Sequence, residues 1–389
     1  MRQQIDSIVA GEQPQMVAFR RTIHQRPELS FHEERTASAI CGVLQASGIP
    51  YTRKGRRGIA ARLTGTRPGP HIAFRADFDA LAIQEETDLP YASTEPGVMH
   101  ACGHDAHTAV LLSFAKTIAA HPALIHGTVT FLFQDAEEIP PGGAKAMVED
   151  GCLDGVDKIY AFHVADDLDA GVVGVCEGMY MAASDSYEVI FSGKGGHASR
   201  PNEGEDTILT MATAICTIDS IPARFLPVQA AAVVTTCAVN GGSSYNVIPE
   251  KCKILGTVRT FDKETAEKIR DSIESCVKSA CLLYRTSYEY SYHWGYPALS
   301  NDAAHCQVVR DAARIARFPC VKIHPTTIAE DFSFYLQRIP GAYFRVGIRN
   351  PEKNAVYPLH SGKFQIDEDA MTAALKMFWM IYLRETGQV

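Results

Sequence analysis

The chain has 389 residues, of which 46% are hydrophobic and 21% charged, and its formal net charge is −8 at pH 7. This length favours two domains over one, and the composition is that of a globular enzyme. The acidic balance argues against a nucleic-acid partner, because proteins that bind nucleic acids concentrate Lys and Arg on one face. No apolar run reaches the ~18–20 residues that a membrane span needs, so we expect no membrane partner either.

Cysteine usage and the N-terminal residues bear on the compartment. Residues 1–15 are polar and acidic, whereas a secretory signal needs an apolar core, so we expect no export. The eleven cysteines are odd in number, and most lie in apolar segments such as 214–216 and 279–282. This usage is typical of reduced, buried thiols. We therefore predict a cytoplasmic protein in which Cys102 is the cysteine with a functional role.

Helix and strand patterns alternate along the first part of the chain and again near its end. Apolar residues at helical spacing predict helices over 16–24, 32–46, 106–120, 303–316 and 367–385. Apolar runs predict strands over 58–63, 71–75, 127–133, 158–163, 321–324 and 342–347. This alternation predicts the α/β class, with a mostly parallel sheet and helices on both of its faces.

The pattern changes between residues 184 and 296, where several strands are joined by two long helices. This segment predicts a smaller α+β domain that is inserted into the first domain. The predicted organisation is a catalytic domain over 1–183 and 297–389, with an inserted domain over 184–296.

The segment 99–107 carries a thiol, three imidazoles and a carboxylate within nine residues. If this segment is extended, Cys102 and His104 lie on one side of the backbone, because strand side chains alternate faces. Thiolate and neutral imidazole are good ligands for a borderline-soft divalent metal. Two ligands do not make a site, so others have to come from elsewhere in the chain.

Further candidate ligands follow predicted strands. The carboxyl ends of parallel strands meet at one edge of a sheet, which is where active sites of α/β proteins lie. The candidates there, together with one in a turn before the last helix, are Asp77, Asp79, Glu137, Glu138, His163 and His360. Each has an ordinary structural interpretation by itself, as a cap, a solvated charge or a core histidine. Their convergence on the edge that carries Cys102 and His104 favours a metal site. His100 and His107 stay ambiguous, and supporting roles are favoured for both.

Even six donors from this set would exceed one tetrahedral zinc site, which takes three or four protein ligands. Two metal ions about 3.5–4 Å apart that share ligands fit this set better. The adjacent Glu137 and Glu138 can then divide the work. One binds metal, while the other takes a proton from a water molecule.

With these residues assembled, the chain resembles the aminoacylase-like dinuclear metallopeptidases. It is most similar to their branch of hippurate hydrolases, N-acyl-amino-acid amidohydrolases and plant indole-acetyl-amino-acid hydrolases. The resemblance rests on ordered motifs over nearly the full length: 27–31 (PELSF), 74–81 (FRADFDAL), 99–107 (MHACGHDAH), 133–138 (FQDAEE), 193–197 (GKGGH), 245–249 (YNVIP), 329–332 (AEDF) and 359–361 (LHS).

The resemblance implies a role for each residue of the motifs. The residues that would hold two divalent ions per subunit are Cys102, His104, Glu138, His163 and His360. Manganese or zinc is expected, and cobalt or nickel also occurs in such enzymes. Glu137 would be the general base, and Asp79 would orient a metal ligand.

The inserted domain resembles the lid and dimerisation domain of this family, which implies a homodimer. Its His197 would reach a catalytic site, in related dimers that of the partner subunit, and would help to stabilise the oxyanion. Asn246 and Arg259 would contact the substrate carboxylate, although Arg259 is equally compatible with an ordinary strand position. The chain departs from the family pattern at Asp135 and Gly362, where Pro is common, and the stretch after His163 (164–169) is unusually acidic.

The predicted function is a metal-dependent amidohydrolase that cleaves an N-acyl amino acid to a carboxylic acid and a free amino acid. The alternatives are an N-acetyl-diaminopimelate-type deacetylase, a dipeptidase and, from another class, a non-catalytic metal-binding or ligand-binding relative. An intact general base argues against the last. The residues do not identify the acyl group, the amino acid or the native metal.

Overall fold

The computed structural model describes residues 1–389, which form ten α-helices and sixteen strands besides short 3₁₀ turns. The helices are α1 Arg2–His24, α2 Glu34–Ala46, α3 His104–Ala119, α4 Ala144–Glu149, α5 Thr207–Asp219, α6 Ile221–Arg224, α7 Lys263–Tyr284, α8 Ala303–Ala316, α9 Ser333–Leu336 and α10 Asp369–Glu385. The strands are β1 Tyr51–Lys54, β2 Gly58–Thr64, β3 Arg67–Asp77, β4 His126–Gln134, β5 Lys158–Asp169, β6 Val173–Val175, β7 Gly178–Met181, β8 Asp185–Ser192, β9 Gly196–His197, β10 Ala232–Gly241, β11 Val247–Ile248, β12 Lys251–Thr260, β13 Ser287–His293, β14 Leu299–Asn301, β15 Cys320–Lys322 and β16 Gly341–Arg349. None of the helices combines the length and apolar character needed to cross a bilayer.

The chain divides into two compact units. The first contains Met1–Gly178, Ser300–His324 and Asp331–Val389, and the second contains Met179–Leu299 and Pro325–Glu330. The domain predicted over 184–296 lies within the second unit, which also takes in a short return of the chain at Pro325–Glu330.

An eight-stranded mixed sheet forms the centre of the first unit, in the order β1-β2-β4-β3-β5-β16-β6-β15. Its four middle strands, β4, β3, β5 and β16, are parallel to one another. On one side of these four strands, β4 pairs antiparallel with β2, and β2 pairs antiparallel with β1. On the other side, β16 pairs antiparallel with β6. The prediction of an α/β fold with a mainly parallel sheet is confirmed.

Aromatic side chains from the middle strands and from two buried helices form the core of this unit. Phe74 of β3 lies 4.9 Å, ring centre to ring centre, from both Phe114 of α3 and Phe378 of α10. Each of these phenylalanines is fully buried. Burying such a ring is worth about 1.5–3 kcal/mol, so this packing fixes α3 against the sheet. The first turn of α3 carries His104, so the core sets the position of that residue.

The first helix is longer than the pattern predicted, because α1 begins at Arg2 and continues through Pro14. Pro14 is exposed, as is Ala10, whose carbonyl loses its helical donor and can bond to water instead. Near the end of α1, the fully buried Arg20 donates to Asp105 of α3 (2.8 Å) and to Glu368 (2.9 Å). This guanidinium therefore ties three segments together.

The second unit has a four-stranded antiparallel sheet in the order β10-β12-β8-β13. Helices α5 and α7 pack on one face of it around a separate apolar core. Alternation in β13 turns Tyr288, Tyr290 and Tyr292 toward this core. Strand β10 is at the edge of the sheet.

Candidate metal centre

The candidate ligands of the first unit meet where its parallel strands lead into loops. Asp77 ends β3 and Glu137 follows β4, whereas His163 lies within the longer strand β5. The Cys102–His104 segment is not extended, contrary to the expectation above. Cys102 precedes a turn at Gly103 (φ 83°), and His104 opens α3. A Cβ at position 103 would lie 2.6 Å from Val164 Cγ2, so the close approach of this turn to β5 requires glycine.

The five predicted metal ligands lie within reach of one another. Cys102 Sγ is 3.3 Å from His163 Nε2. Glu138 Oε1 is 3.8 Å from His104 Nε2 and 3.4 Å from His360 Nε2. Donor atoms therefore form overlapping groups within 4.8 Å, in which Cys102 belongs both with His104 and His163 and with Glu138 and His360. Such sharing is what two neighbouring ions would need.

The donor atoms at this centre fit a divalent metal. His104 Nε2 and Glu138 Oε1 are buried without any hydrogen-bond partner, which costs free energy unless a cation compensates. His163 Nδ1 donates to the Val164 carbonyl (2.7 Å), which leaves the Nε2 lone pair available beside Cys102. Burial and the nearby Glu138 raise the pKa of the Cys102 thiol well above its usual value, so ionisation of the thiol needs a cation close by. Sulfur, nitrogen and carboxylate oxygen form a donor set that suits zinc and other first-row divalent ions.

Asp79 orients two of these ligands at once. Its Oδ1 accepts from His104 Nδ1 (3.0 Å), and its Oδ2 accepts from the Glu138 backbone N–H (2.9 Å) and from Ser30 Oγ (2.7 Å). Burial works to raise the pKa of this carboxyl, but the hydrogen bond and positive charge of His104 outweigh it, and the net shift is downward. A carboxylate at this position fixes the His104 ring with Nε2 toward the centre.

The turn that carries Glu137 and Glu138 is held by Glu33, a residue that no sequence pattern singled out. Ala136 has a positive φ of 52°, which is strained for a residue with a Cβ. Glu33 Oε1 accepts from the Ala136 N–H (2.8 Å), and the Glu33 side chain is completely buried. Burial, followed by the charges of Asp79 and Asp135, raises the pKa of Glu33 to about 8. Glu137 is itself 7% exposed, so the base candidate sits in a largely water-excluded place.

The two remaining histidines of the 99–107 cluster have different surroundings. His107 Nδ1 donates to Asp77 Oδ1 (2.6 Å), and its Nε2 accepts from the Val164 N–H (3.0 Å), so both ring nitrogens are in use. Asp77 therefore accepts hydrogen bonds from both His107 and Arg75, the latter at 2.6 Å. His100 is buried with no hydrogen-bond partner at either nitrogen, and burial lowers its pKa to about 4.

His360 comes from a turn, and its side chain is 52% exposed. Its backbone is in the left-handed region (φ 63°), and its N–H donates to the Ala101 carbonyl (2.9 Å). This bond ties the turn to the segment that carries Cys102.

The other three predicted site residues belong to the second unit. His197 on β9 pairs with Val247 of β11, and the Ala198 N–H donates to the Asn246 carbonyl (3.1 Å), so His197 and Asn246 are close neighbours. His197 Nδ1 accepts from the Ser199 N–H (3.2 Å), which places the proton of a neutral ring on Nε2. Arg259 lies on β12 and donates to Thr257 Oγ1 (2.6 Å).

Comparison with known proteins gives consistent matches over most of the chain. The model of "Peptidase family M20/M25/M40" matches residues 73–382. An N-acetyl-L-cysteine deacetylase of Bacillus subtilis is 38% identical over 95% of this chain and 86% of its own length. An N-acyl-L-amino acid amidohydrolase of Geobacillus stearothermophilus is 39% identical over 77% of this chain and 81% of its own. A solved structure of a Bacillus subtilis protein, described as a dinuclear metal binding peptidase of the M20 family, has a TM-score of 0.86 and 33% identity, covering 98% of this chain and 100% of the other.

Proposed function

The chain belongs to the peptidase family M20/M25/M40, and from this premise we propose that it is a metal-dependent amidohydrolase of N-acyl amino acids. It is a hydrolase that acts on amide bonds, as its motifs predicted. The observation that carries the proposal is the donor cluster around Cys102, Glu138 and three histidines, with a second buried carboxylate, Glu137, directly beside it.

We propose that the centre takes two divalent ions, held by Cys102, His104, Glu138, His163 and His360. When bound, such ions lower the pKa of water and polarise an amide carbonyl. Zinc or manganese is the proposed native metal, with cobalt or nickel as further choices. The thiolate and imidazole donors favour zinc by intrinsic affinity, so manganese would require control by availability.

The protein's own part in the reaction is proton transfer and orientation. Glu137 accepts a proton from the attacking water and returns it to the nitrogen of the leaving amine as the C–N bond breaks. Asp79 keeps His104 and Glu138 in place. His197, with its proton on Nε2, is the proposed donor to the oxyanion that develops on the substrate carbonyl oxygen.

The proposed substrate carries an acyl group on the nitrogen of an amino acid, whose free carboxylate would be bound by Asn246 and Arg259. Support comes from the two relatives named for N-acetyl-L-cysteine and N-acyl-L-amino acids. Charge complementarity adds to this, because Arg259 is a permanent cation suited to bidentate carboxylate binding.

We also propose a homodimer that forms through the second unit. Large apolar side chains are exposed there, including Leu282 (73%), Leu283 (66%) and Val239 (55%) on α7 and on the edge strand β10. Exposed apolar surface and an unpaired sheet edge are both typical of association surfaces. Sedimentation equilibrium checks this proposal, and a monomer at micromolar concentration would reject it.

A cytoplasmic location is proposed from the eleven cysteines, all of which are free.

The decisive experiment removes metal with a chelator and restores it with one ion type at a time. Each reconstituted sample is assayed on N-acetyl, N-benzoyl and indole-acetyl amino acids, on N-acetyl-diaminopimelate and on dipeptides. We expect hydrolysis of N-acyl amino acids that is lost with the metal and regained on reconstitution. Tight binding of metal without hydrolysis of any of these compounds would favour a binding protein instead, and preference for dipeptides would favour a dipeptidase.

A further inference from the structure

The acidic stretch that follows His163 on β5 contains two adjacent aspartates with different surroundings. Asp166 is partly buried, and its Oδ2 accepts from the backbone N–H of Leu359 at 2.8 Å. Asp167, the next residue on the same strand, is exposed. The acceptor and donor of this hydrogen bond are 193 residues apart in the chain, so the bond ties the end of a central strand to the turn before the last helix.

Leu359 precedes His360, whose backbone is in the left-handed region with φ 63°. A residue with a Cβ pays a steric cost in this region and stays there only when its surroundings hold it. Two hydrogen bonds hold this turn on successive residues, one from the Leu359 N–H to Asp166 and one from the His360 N–H to the Ala101 carbonyl (2.9 Å). The second partner is a main-chain group, so of these two bonds only the one to Asp166 can be removed by substituting a side chain.

The His360 side chain is half exposed, in contrast to the buried His104 and His163. Packing therefore contributes less to its orientation than to theirs, and the backbone of the turn contributes more. The His360 imidazole lies 3.4 Å from Glu138, so a change in the backbone of the turn would change its position relative to the donor cluster.

We infer that Asp166 is a positioning residue for His360, and that its hydrogen bond to Leu359 sets the affinity of the centre for the ion that His360 helps to hold. The inference rests on the proposed function, because it requires that the centre binds metal. It does not depend on the identity of the substrate.

The test measures metal binding directly. Metal-free protein is titrated with Zn²⁺ alone, in competition with a chromophoric chelator. Asp166→Ala removes the acceptor, and Asp166→Asn keeps a side-chain carbonyl that can accept from Leu359 while removing the charge. Asp167→Ala is the matched control, since it removes the same charge from the neighbouring position. Circular dichroism and thermal unfolding confirm that each variant is folded.

We expect the wild type to bind two ions and Asp166→Ala to bind one of them about 10–100-fold more weakly, as is typical when the support of a ligand is removed. Asp166→Asn and Asp167→Ala should stay close to the wild type. In a His360→Ala background, adding Asp166→Ala should cause no further loss, because both changes then act through the same ligand.

Three outcomes would overturn the inference. These are unchanged binding in Asp166→Ala, equal weakening in Asp167→Ala or Asp166→Asn, and a full additional loss in the His360→Ala background. A wild-type protein that binds no metal would overturn the proposed function, and this inference with it. If Asp166→Ala does not fold, Asp166→Asn with weakened binding at the same ion would still contradict a role that depends on the hydrogen bond alone.

Discussion

At the scale of single residues, Glu137 and Glu138 are adjacent in sequence but have different partners. The Glu138 backbone is bonded to Asp79, and its carboxylate lies among the histidine donors. Glu137 is buried beside them and is the proposed base. We expect Glu137→Gln to lower kcat by at least about 10²–10⁴-fold, because the amide cannot accept the proton, while both metal ions are retained. Metal analysis and steady-state kinetics check this, with Glu138→Gln as the control that loses metal. Near-normal kcat in Glu137→Gln would contradict the mechanism.

A second residue-scale prediction concerns Glu33, whose pKa is raised from 4.5 to about 8 by burial and by Asp79. Between these two pH values the folded protein holds a proton that the unfolded chain has released, so the free energy of unfolding falls as pH rises. Glu33→Gln has no proton to release and keeps an acceptor for Ala136. The variant should therefore gain stability relative to the wild type, by up to ~1.4 kcal/mol per pH unit across this window.

The measurement is urea unfolding of the metal-free proteins at several pH values between about 5 and 8. Glu34→Gln is the matched control, since Glu34 is 72% exposed and paired with Arg57. A stability difference between Glu33→Gln and wild type that does not change with pH would show that Glu33 is ionised in the folded protein.

The candidate ligands other than His360 could be proposed from the sequence because each follows a recognisable strand or lies in a dense cluster of donors, and one rule about sheet edges brings them together. Glu33 and Asp166 could not be predicted in this way. They act on backbone N–H groups 103 and 193 residues away, and such contacts leave no local pattern in the chain. The positive φ values at Ala136 and His360, which make these contacts necessary, are equally invisible before the fold is known.

At the scale of elements, α1 is fixed by a buried charge. Arg20 is fully buried and donates to Asp105 and Glu368, whereas its neighbour Arg21 is 44% exposed and bonds Glu368 at the surface. Arg20→Met should lower the free energy of unfolding by about 3–5 kcal/mol, because it leaves the Asp105 carboxylate buried without its guanidinium. Arg21→Met, the matched control, should cost less than about 1 kcal/mol. Urea unfolding midpoints compare the two, and equal midpoints would refute this role of Arg20.

The same helix shows where a pattern can mislead. Gly11 and Pro14 argue against a helix before residue 16, yet α1 contains both of them. The residues Ile5, Val9, Met16 and Arg20 form a buried stripe along this helix. The tertiary packing of that stripe outweighs the local cost of an exposed proline. The central parallel strands were easier to predict, because a fully buried strand is apolar on both faces.

At the scale of the whole molecule, every candidate metal ligand belongs to the first of the two units. The second unit has its own sheet and its own apolar core. Its main segment could be predicted from the change in pattern near residue 184. The short return at Pro325–Glu330 could not, because six residues are too few to show a periodicity.

This division predicts how the protein responds to loss of metal. Ions that bind only the folded first unit stabilise that unit by mass action, and a chelator removes this contribution. We expect hydrogen–deuterium exchange to become faster on chelation in peptides from β4, β5 and the start of α3. Peptides from β8, β12 and α7 should exchange at the same rate with and without metal. Re-addition of Zn²⁺ should restore protection in the first group alone, and the Asp167→Ala variant should behave in the same way. Equal loss of protection in both groups would mean that the second unit depends on the metal centre for its stability, which the separate core argues against.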